Sequence, residues 1–271
     1  MKQLCMKVRM SRQNYYKERK VRRRERIDEA FVVALVRQER YEQPRVGTRK
    51  LQRMLKAAFK EGGIRLGRDR IFEVLRKHGM LVPPLKRSFR TTEYKPTLPV
   101  FKNLIREKPP MGPNEQWVVD MTYIRTDDGF SFLAVIMDRY SRKIVGHHCC
   151  ETLDAGGCLG ALRKALAALP PGARPTHHSD RGCQYASHQY VGLLRRHGLA
   201  ISMTEENHCY ENAHAERVIG ILKQEFGLGE TFRKKEHVYR AVDQGIHLYN
   251  TKRLHTNLGY KTPEEVHENV A

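Results

Sequence analysis

The sequence predicts an α/β fold: a mixed sheet with flanking helices, preceded by an all-α, helix-turn-helix-like region. Three features carry this expectation. The hydrophobic period changes from helical to alternating across a proline-rich stretch, residues 83–112. Most of the net positive charge lies before that stretch. After it, the alternating segment from Gln116 to Ile124 holds a carboxylate, Asp120, inside an apolar run. The expected division is a basic helical region at 1–82, an extended linker at 83–112, and an α/β domain with a helical tail at 113–271.

The first region reads as helices. Residues 1–26 have helical character with a turn at Met10-Ser11, and Ser11 suits the N-cap of a helix through Lys20. The block from Arg22 to Arg26 is either a solvated face or a phosphate-binding one. From Ile27 the apolar residues Ala30, Phe31, Ala34 and Leu35 follow at offsets of three, four, seven and eight, the spacing of an amphipathic helix. Pro44 and Gly47 break it. Thr48 is placed to cap a second helix with Leu51, Met54 and Leu55 inward, ended by Gly62-Gly63. A third helix spans about Gly67 to His78, with Ile71, Val74 and Leu75 inward and Arg68, Arg70 and Lys77 outward. Three short helices with a basic last one suit a bundle whose third helix lies in a DNA groove.

The linker is rich in proline, which removes backbone donors and resists helix. Tyr94, Leu98, Val100 and Phe101 are its candidates for docking on the following domain. Trp117–Arg125, Phe130–Asp138 and Arg142–Glu151 then read as a three-strand meander, with Asp127-Asp128-Gly129 as the first turn. A helix at Asp154–Leu169, a strand at Thr176–Asp180, a helix at His188–His197, a short strand at Leu199–Met203 and a helix at Asn212–Phe226 complete the pattern. That order describes a mixed sheet with packed helices.

Composition narrows the function classes. Residues 1–100 hold 28 Lys/Arg against 10 Asp/Glu, or +18, whereas 101–271 hold 22 against 20, or +2. The first hundred residues are therefore the expected polyanion-binding part. No apolar run reaches the ~18 residues of a membrane span, and the basic N-terminus lacks the apolar core of a secretory leader. Six scattered cysteines fit reduced thiols in a cytoplasmic protein.

Burying a lone charge is costly unless something pairs with it or binds it, which makes Asp120 informative. Asp180 ends another apolar stretch 60 residues later, and Glu216 sits on a helix 36 residues beyond that. Lys223 follows Glu216 by seven residues, two helical turns on the same face. Three hard oxygen donors and a cation make a plausible phosphoryl-transfer site using two metal ions. Gly220, four residues after Glu216, leaves that flank open to a ligand or to a packing neighbour.

The strings QWVVDMTYI, HHSDRGCQY, SMTEENHCYENAHAERVIGILKQE and YNTKRLHTNLGYKTPEEV resemble the catalytic product of bacterial insertion elements with two overlapping frames. These are DDE transposases related to retroviral integrases. The resemblance covers essentially the whole chain, since residues 28–90 also look like the helical DNA-binding region of that group. It implies a ribonuclease H-like fold in which Asp120, Asp180 and Glu216 bind two Mg²⁺ ions, with Mn²⁺ a possible substitute. It further implies cleavage of double-stranded DNA at the element ends, transfer of the freed 3′-hydroxyl to target DNA, and a phosphate contact by Lys223. A homo-multimer on DNA and an upstream-frame protein, separate or fused by frameshifting, are the implied partners, in a bacterial cytoplasm near the nucleoid.

Other residues carry less specific readings. Asn212 fits a helix cap that also touches DNA, Tyr210 a base-stacking group or a packed ring, and Arg253, within Tyr249–His255, a cation reaching DNA. His147, His148, Cys149 and Cys150 are consecutive on a strand, so they face alternate sides and do not form a zinc site. His177 and His178 either order the Asp180 loop or pack in the core. Asp138 is expected to pair with Arg139 or Arg142, and Leu258–Pro263 to form a packed turn. The rival functions are a ribonuclease H-like nuclease without joining activity and a non-catalytic DNA-binding regulator.

Overall fold

The computed structural model describes residues 11–64, 66–83, 99–153, 155–205 and 212–268. They fall into two compact units, Met1–Pro84 and Leu85–Ala271. In the first unit, helix α1 runs unbroken over Arg12–Glu42. Two helices were expected here. No glycine or proline interrupts residues 12–43, and arginine is a good helix former, so the charge block stays helical. The Ser11 hydroxyl caps it by accepting the Asn14 N–H at 3.1 Å.

The buried stripe of α1 is also rotated from the expected one. Val32, Val33 and Val36 are buried and Ala30 and Ala34 are exposed, with Phe31 and Leu35 at the margin. Valines remove more apolar surface from water than alanines, so they take the core face. Helices α2 (Thr48–Met54) and α3 (Lys56–Glu61) meet at Leu55, and α4 spans Arg68–Lys77. Gly47, not Thr48, occupies the N-cap position of α2, without a side-chain bond. Leu51, Leu55, Phe59, Ile71, Val74 and Leu75 close the core against α1.

The second unit is built on a five-stranded sheet of order β3-β2-β1-β4-β5. Its strands are β1 (Gln116–Thr126), β2 (Gly129–Asp138), β3 (Ile144–Cys150), β4 (Thr176–Ser179) and β5 (Ile201–Met203). The first three form the expected antiparallel meander, with Asp120 opposite Val135. β4 pairs parallel to β1 over Gln116–Val118 only, and β5 parallel to β4.

Alternation along the strands separates two cores. Trp117, Val119, Ala134 and Ile136 pack against α5 (Ala155–Ala167) and α6 (His188–Arg196). Val118, Ile124, Leu133, Val135 and Met137 pack against α7 (Ala213–Glu225) and α8 (Lys235–Thr251). Gly146 lets α5 lie close on β3; a Cβ there would sit 2.4 Å from the Ala161 carbonyl oxygen. The end of the expected linker is part of this unit: Ile105 is buried in one core and Phe101 packs against the other. Val100 is 48% exposed, and Tyr94 and Leu98 lie outside the described residues. No helix among the described residues is long and apolar enough to cross a membrane.

Helix α8 belongs to the expected helical tail, and Val238, Val242, Ile246 and Tyr249 form its buried stripe. It is followed by the expected turn, a 3₁₀ helix at Thr256–Leu258 with Gly259 left-handed, and by α9 (Pro263–Glu268). Asp138 is wholly buried and structural; Arg142 lies near enough to feel its charge, but the carboxylate's hydrogen-bond partners are not the expected arginines. One carboxylate oxygen accepts the Ser141 N–H and hydroxyl, both at 2.7 Å, and the other accepts the Asn114 N–H at 2.8 Å. The Ser141 hydroxyl also meets His267 Nδ1 at 2.9 Å, which fastens α9 to the β2–β3 turn. Asp138→Ala strands these buried donors and is expected to cost about 3 kcal/mol or more, read as a lower urea midpoint.

Candidate active site

The site forms where β1 outruns its parallel neighbour. β4 stops pairing at Val118, so β1 and the chain leaving β4 diverge there, and a crevice at the carboxyl ends of parallel strands is a common ligand site. Asp120 lies just beyond that point on β1, on the face that carries α7. Its Oδ1 accepts the Met121 N–H at 2.8 Å. Asp180 follows the last residue of β4, and its Oδ1 accepts the Gly182 N–H at 2.9 Å. Gly182 is needed for this approach, because a Cβ there would stand 2.9 Å from the same oxygen. Glu216 lies in the first turn of α7 and is exposed.

The three carboxylates sense one another. Burial raises the pKa of Asp120 to about 7, with Asp180 and then Glu216 pushing the same way. The Met121 N–H and Lys223 oppose that shift. Asp180 is raised by burial, and Glu216 by burial and by Asp180. Lys223 sits with Nζ 4.6 Å from the centre of the Tyr123 ring. Fully buried Tyr185 lies near Asp120 and Asp180, its hydroxyl beside the Cys158 thiol and without a nitrogen or oxygen partner. Sequence reading missed Gly182, Tyr123 and Tyr185. The polar-glycine run after Asp180 signalled a tight turn, whereas the two tyrosines carry no signal in sequence alone.

The acids are coupled without being closed on one point. Among the described residues, no three His, Cys, Asp or Glu side chains form a ready-made metal cage. The donor set nevertheless fits hard divalent cations: carboxylate oxygens, half-buried at Asp120 and Asp180 and exposed at Glu216, whose mutual repulsion a cation would relieve.

Several expected contacts are corrected by their surroundings. Asn212 occupies the N-cap position of α7 as expected, but its side chain makes no capping bond; it is buried, and Nδ2 donates to the Val119 carbonyl at 3.0 Å. Arg253 is not a surface cation, being 7% exposed and paired with both oxygens of Glu225 at 2.6 and 2.8 Å. Two neighbours in its segment are structural as well. Tyr249 is buried, and Asn250 brackets the Ile144 backbone with two hydrogen bonds. His177 bonds the Tyr190 hydroxyl and His178 the Ser202 hydroxyl, so both are core residues.

His147 reaches Asp243 and Lys164 while the His148 ring lies against Gly160, so the two imidazoles serve different neighbours. Arg68, Arg70 and Lys77 do lie on the outer face of α4, but each is ion-paired: Arg68 with Asp69, Arg70 with Glu29 and Glu73, Lys77 with Glu29. Tyr210 lies outside the described residues.

Residues 110–209 match a family described as the integrase core domain, and residues 197–263 match a second with the same description. An uncharacterized 31 kDa protein of insertion element IS600 from Shigella sonnei is 37% identical over 82% of this chain and 81% of its own length. The transposase InsF for insertion sequence IS3A from Escherichia coli K12 is 31% identical over 97% of this chain and 92% of its own length. Among solved structures, the simian T-cell lymphotropic virus intasome, in complex with a PP2A regulatory subunit, shares the fold. It covers 82% of this chain and 75% of the matched chain, with a TM-score of 0.51 at 18% identity.

Two expectations follow from the site's geometry. His177 is held neutral by burial, with a pKa lowered to about 3 from 6.5. The unfolded chain therefore takes up a proton below about pH 6.5 that the folded chain refuses, so this stability is complete above that pH and lost as pH falls towards 3. Urea midpoints between pH 6 and 4 should fall in wild type, with about one proton less linkage in His177→Gln. Separately, a Cβ at Gly220 would meet nothing within 4 Å. Gly220→Ala should therefore raise stability by about 1 kcal/mol, as read by thermal melting.

Proposed function

Because the chain belongs to the IS3-type insertion-element transposases with an integrase core, we propose that it cuts its element's DNA ends and joins them to new DNA. The observation that carries this reading is the coupling of Asp120, Asp180 and Glu216, set on β1, after β4 and on α7, with Lys223 two turns further on. Bound at these carboxylates, Mg²⁺, two ions per site with Mn²⁺ a substitute, would activate the attacking oxygen and stabilise the leaving one.

The chain's own groups position the rest. The Met121 and Gly182 N–H groups hold one oxygen of Asp120 and of Asp180, leaving the second oxygen of each to a ligand. Lys223, whose Nζ rests over the Tyr123 ring, would neutralise a phosphate oxygen. In the first step water attacks a phosphodiester, and the 3′-oxygen leaves as a hydroxyl once protonated. In the second, that hydroxyl attacks another phosphodiester, so one P–O bond forms as one breaks. No side chain becomes covalently attached. Two ends must be held together, which calls for at least two chains, with an upstream-frame protein or fusion contributing to assembly. The reaction would take place in a bacterial cytoplasm, at the nucleoid.

The test is strand transfer on labelled DNA bearing the element's ends, with Mg²⁺, comparing wild type and Asp120→Asn. Joining by wild type, lost in the variant while DNA affinity persists, is the expected result. Cutting without joining would mark a nuclease, and binding with no chemistry a regulator.

A further inference from the structure

The outer face of α4 is the obvious place to look for a DNA contact in the first unit, yet its charge is largely spent internally. Glu29 alone receives both Arg70 and Lys77, and the Lys77 hydrogen bond is the main cause holding its carboxyl below the ordinary range. Arg70 is shared further with Glu73, and Arg68 with Asp69. A phosphate approaching this face would have to compete with carboxylates already in place.

A second surface of the same unit has the opposite character. A groove of about 950 Å³ runs between α2, α3 and the start of α4. It is lined by Gln52, Arg53, Lys56 and Lys60, over Phe59, Ile64 and Leu66, with no carboxylate among the lining residues. Lys56 and Lys60 have no ion-pair partner among the described residues. They lie one helical turn apart on α3, about 6 Å, on the scale at which successive phosphates repeat along a strand. Gly63 and Gly67 contribute no side chain, so backbone can approach closely. The N-terminus of α4, capped by Gly67 without a side-chain bond, also opens at this rim and adds its partial positive charge. The apolar floor suits the sugar edge of a nucleic acid strand.

We propose that this groove, rather than the outer face of α4, is where the backbone of a DNA duplex docks on the first unit, with Lys56 and Lys60 contacting consecutive phosphates. The inference rests on the reading of the chain as a DNA-processing protein. Contacts of this kind position a duplex without reading its sequence, so they contribute equally to element-end and unrelated DNA. Each neutralised phosphate releases condensed counterions, which makes the salt dependence of binding a direct count of them.

The experiment titrates the full chain against two labelled duplexes, one bearing the element's end and one of unrelated sequence, from 50 to 300 mM KCl. For Lys56→Gln/Lys60→Gln, the slope of log Kd against log salt should become shallower by about two on both duplexes. Arg70→Gln/Lys77→Gln should leave the slope nearly unchanged, with circular dichroism confirming that both variants stay folded. An unchanged slope in the first variant, or a loss of about two in the second, overturns the groove and returns the contact to α4. A wild-type chain with no salt-dependent affinity for either duplex would instead defeat the functional reading, and the groove with it.

Discussion

The second unit is arranged around a carboxylate placed inside its central strand. Asp120 sits between buried Val119 and half-buried Met121, opposite buried Val135, and its pKa is carried to about 7 by burial and by two neighbouring acids. A strand selected only for stability would carry an apolar side chain there. The sheet accommodates the charge because β4 leaves β1 after Val118, so the carboxylate stands at the edge of a crevice and not inside a closed layer. Among the described residues, the Met121 N–H and Lys223 favour its ionised form. Stored repulsion of this kind is typical of sites that await a cationic ligand.

What the sequence made legible was whatever follows from period and punctuation. The meander, the parallel strands and the flanking helices all follow from spacing, and their observed bounds differ from the expected ones by one or two residues at most ends. The three acids stood out because each interrupts a pattern that would otherwise be apolar or featureless. Partner choice was not legible. Asp138 was expected to seek the arginines next to it in sequence, but it bonds Ser141 and Asn114, and Arg139 instead bonds the Ile105 carbonyl and Gln116 side chain. The rotation of α1 failed for a related reason: periodicity identified the helix but could not rank valine against alanine for the core face.

The division of charge between the units takes on a more specific meaning in the structure. Several arginines of the second unit are consumed internally: Arg139 binds carbonyls, Arg253 binds Glu225, and Arg142 is largely buried. The 22 Lys/Arg of residues 101–271 therefore include several that do not face a polyanion. In the first unit the excess is larger, and part of it is likewise tied down at Glu29. Net charge locates the unit that meets a polyanion, but ion-pair geometry decides which face does so.

The same logic gives a role to Asn212 and Arg253, both buried and paired within the unit. Helix α7 carries Glu216 and Lys223, and their usefulness depends on the helix holding its position against the sheet. Its N-terminal end is fixed by Asn212, whose amide donates to the Val119 carbonyl, the residue directly before Asp120. Its C-terminal end is fixed by Glu225, held at both oxygens by Arg253, and by Phe226 packed edge-on to Tyr249. These ties come from opposite ends of the unit's chain, one from the central strand and one from the segment after α8. A lone helix packed through one apolar stripe can slide or roll by a fraction of a turn. Tied at both ends by buried polar contacts with fixed partners, α7 keeps its acid and its lysine in register with Asp120.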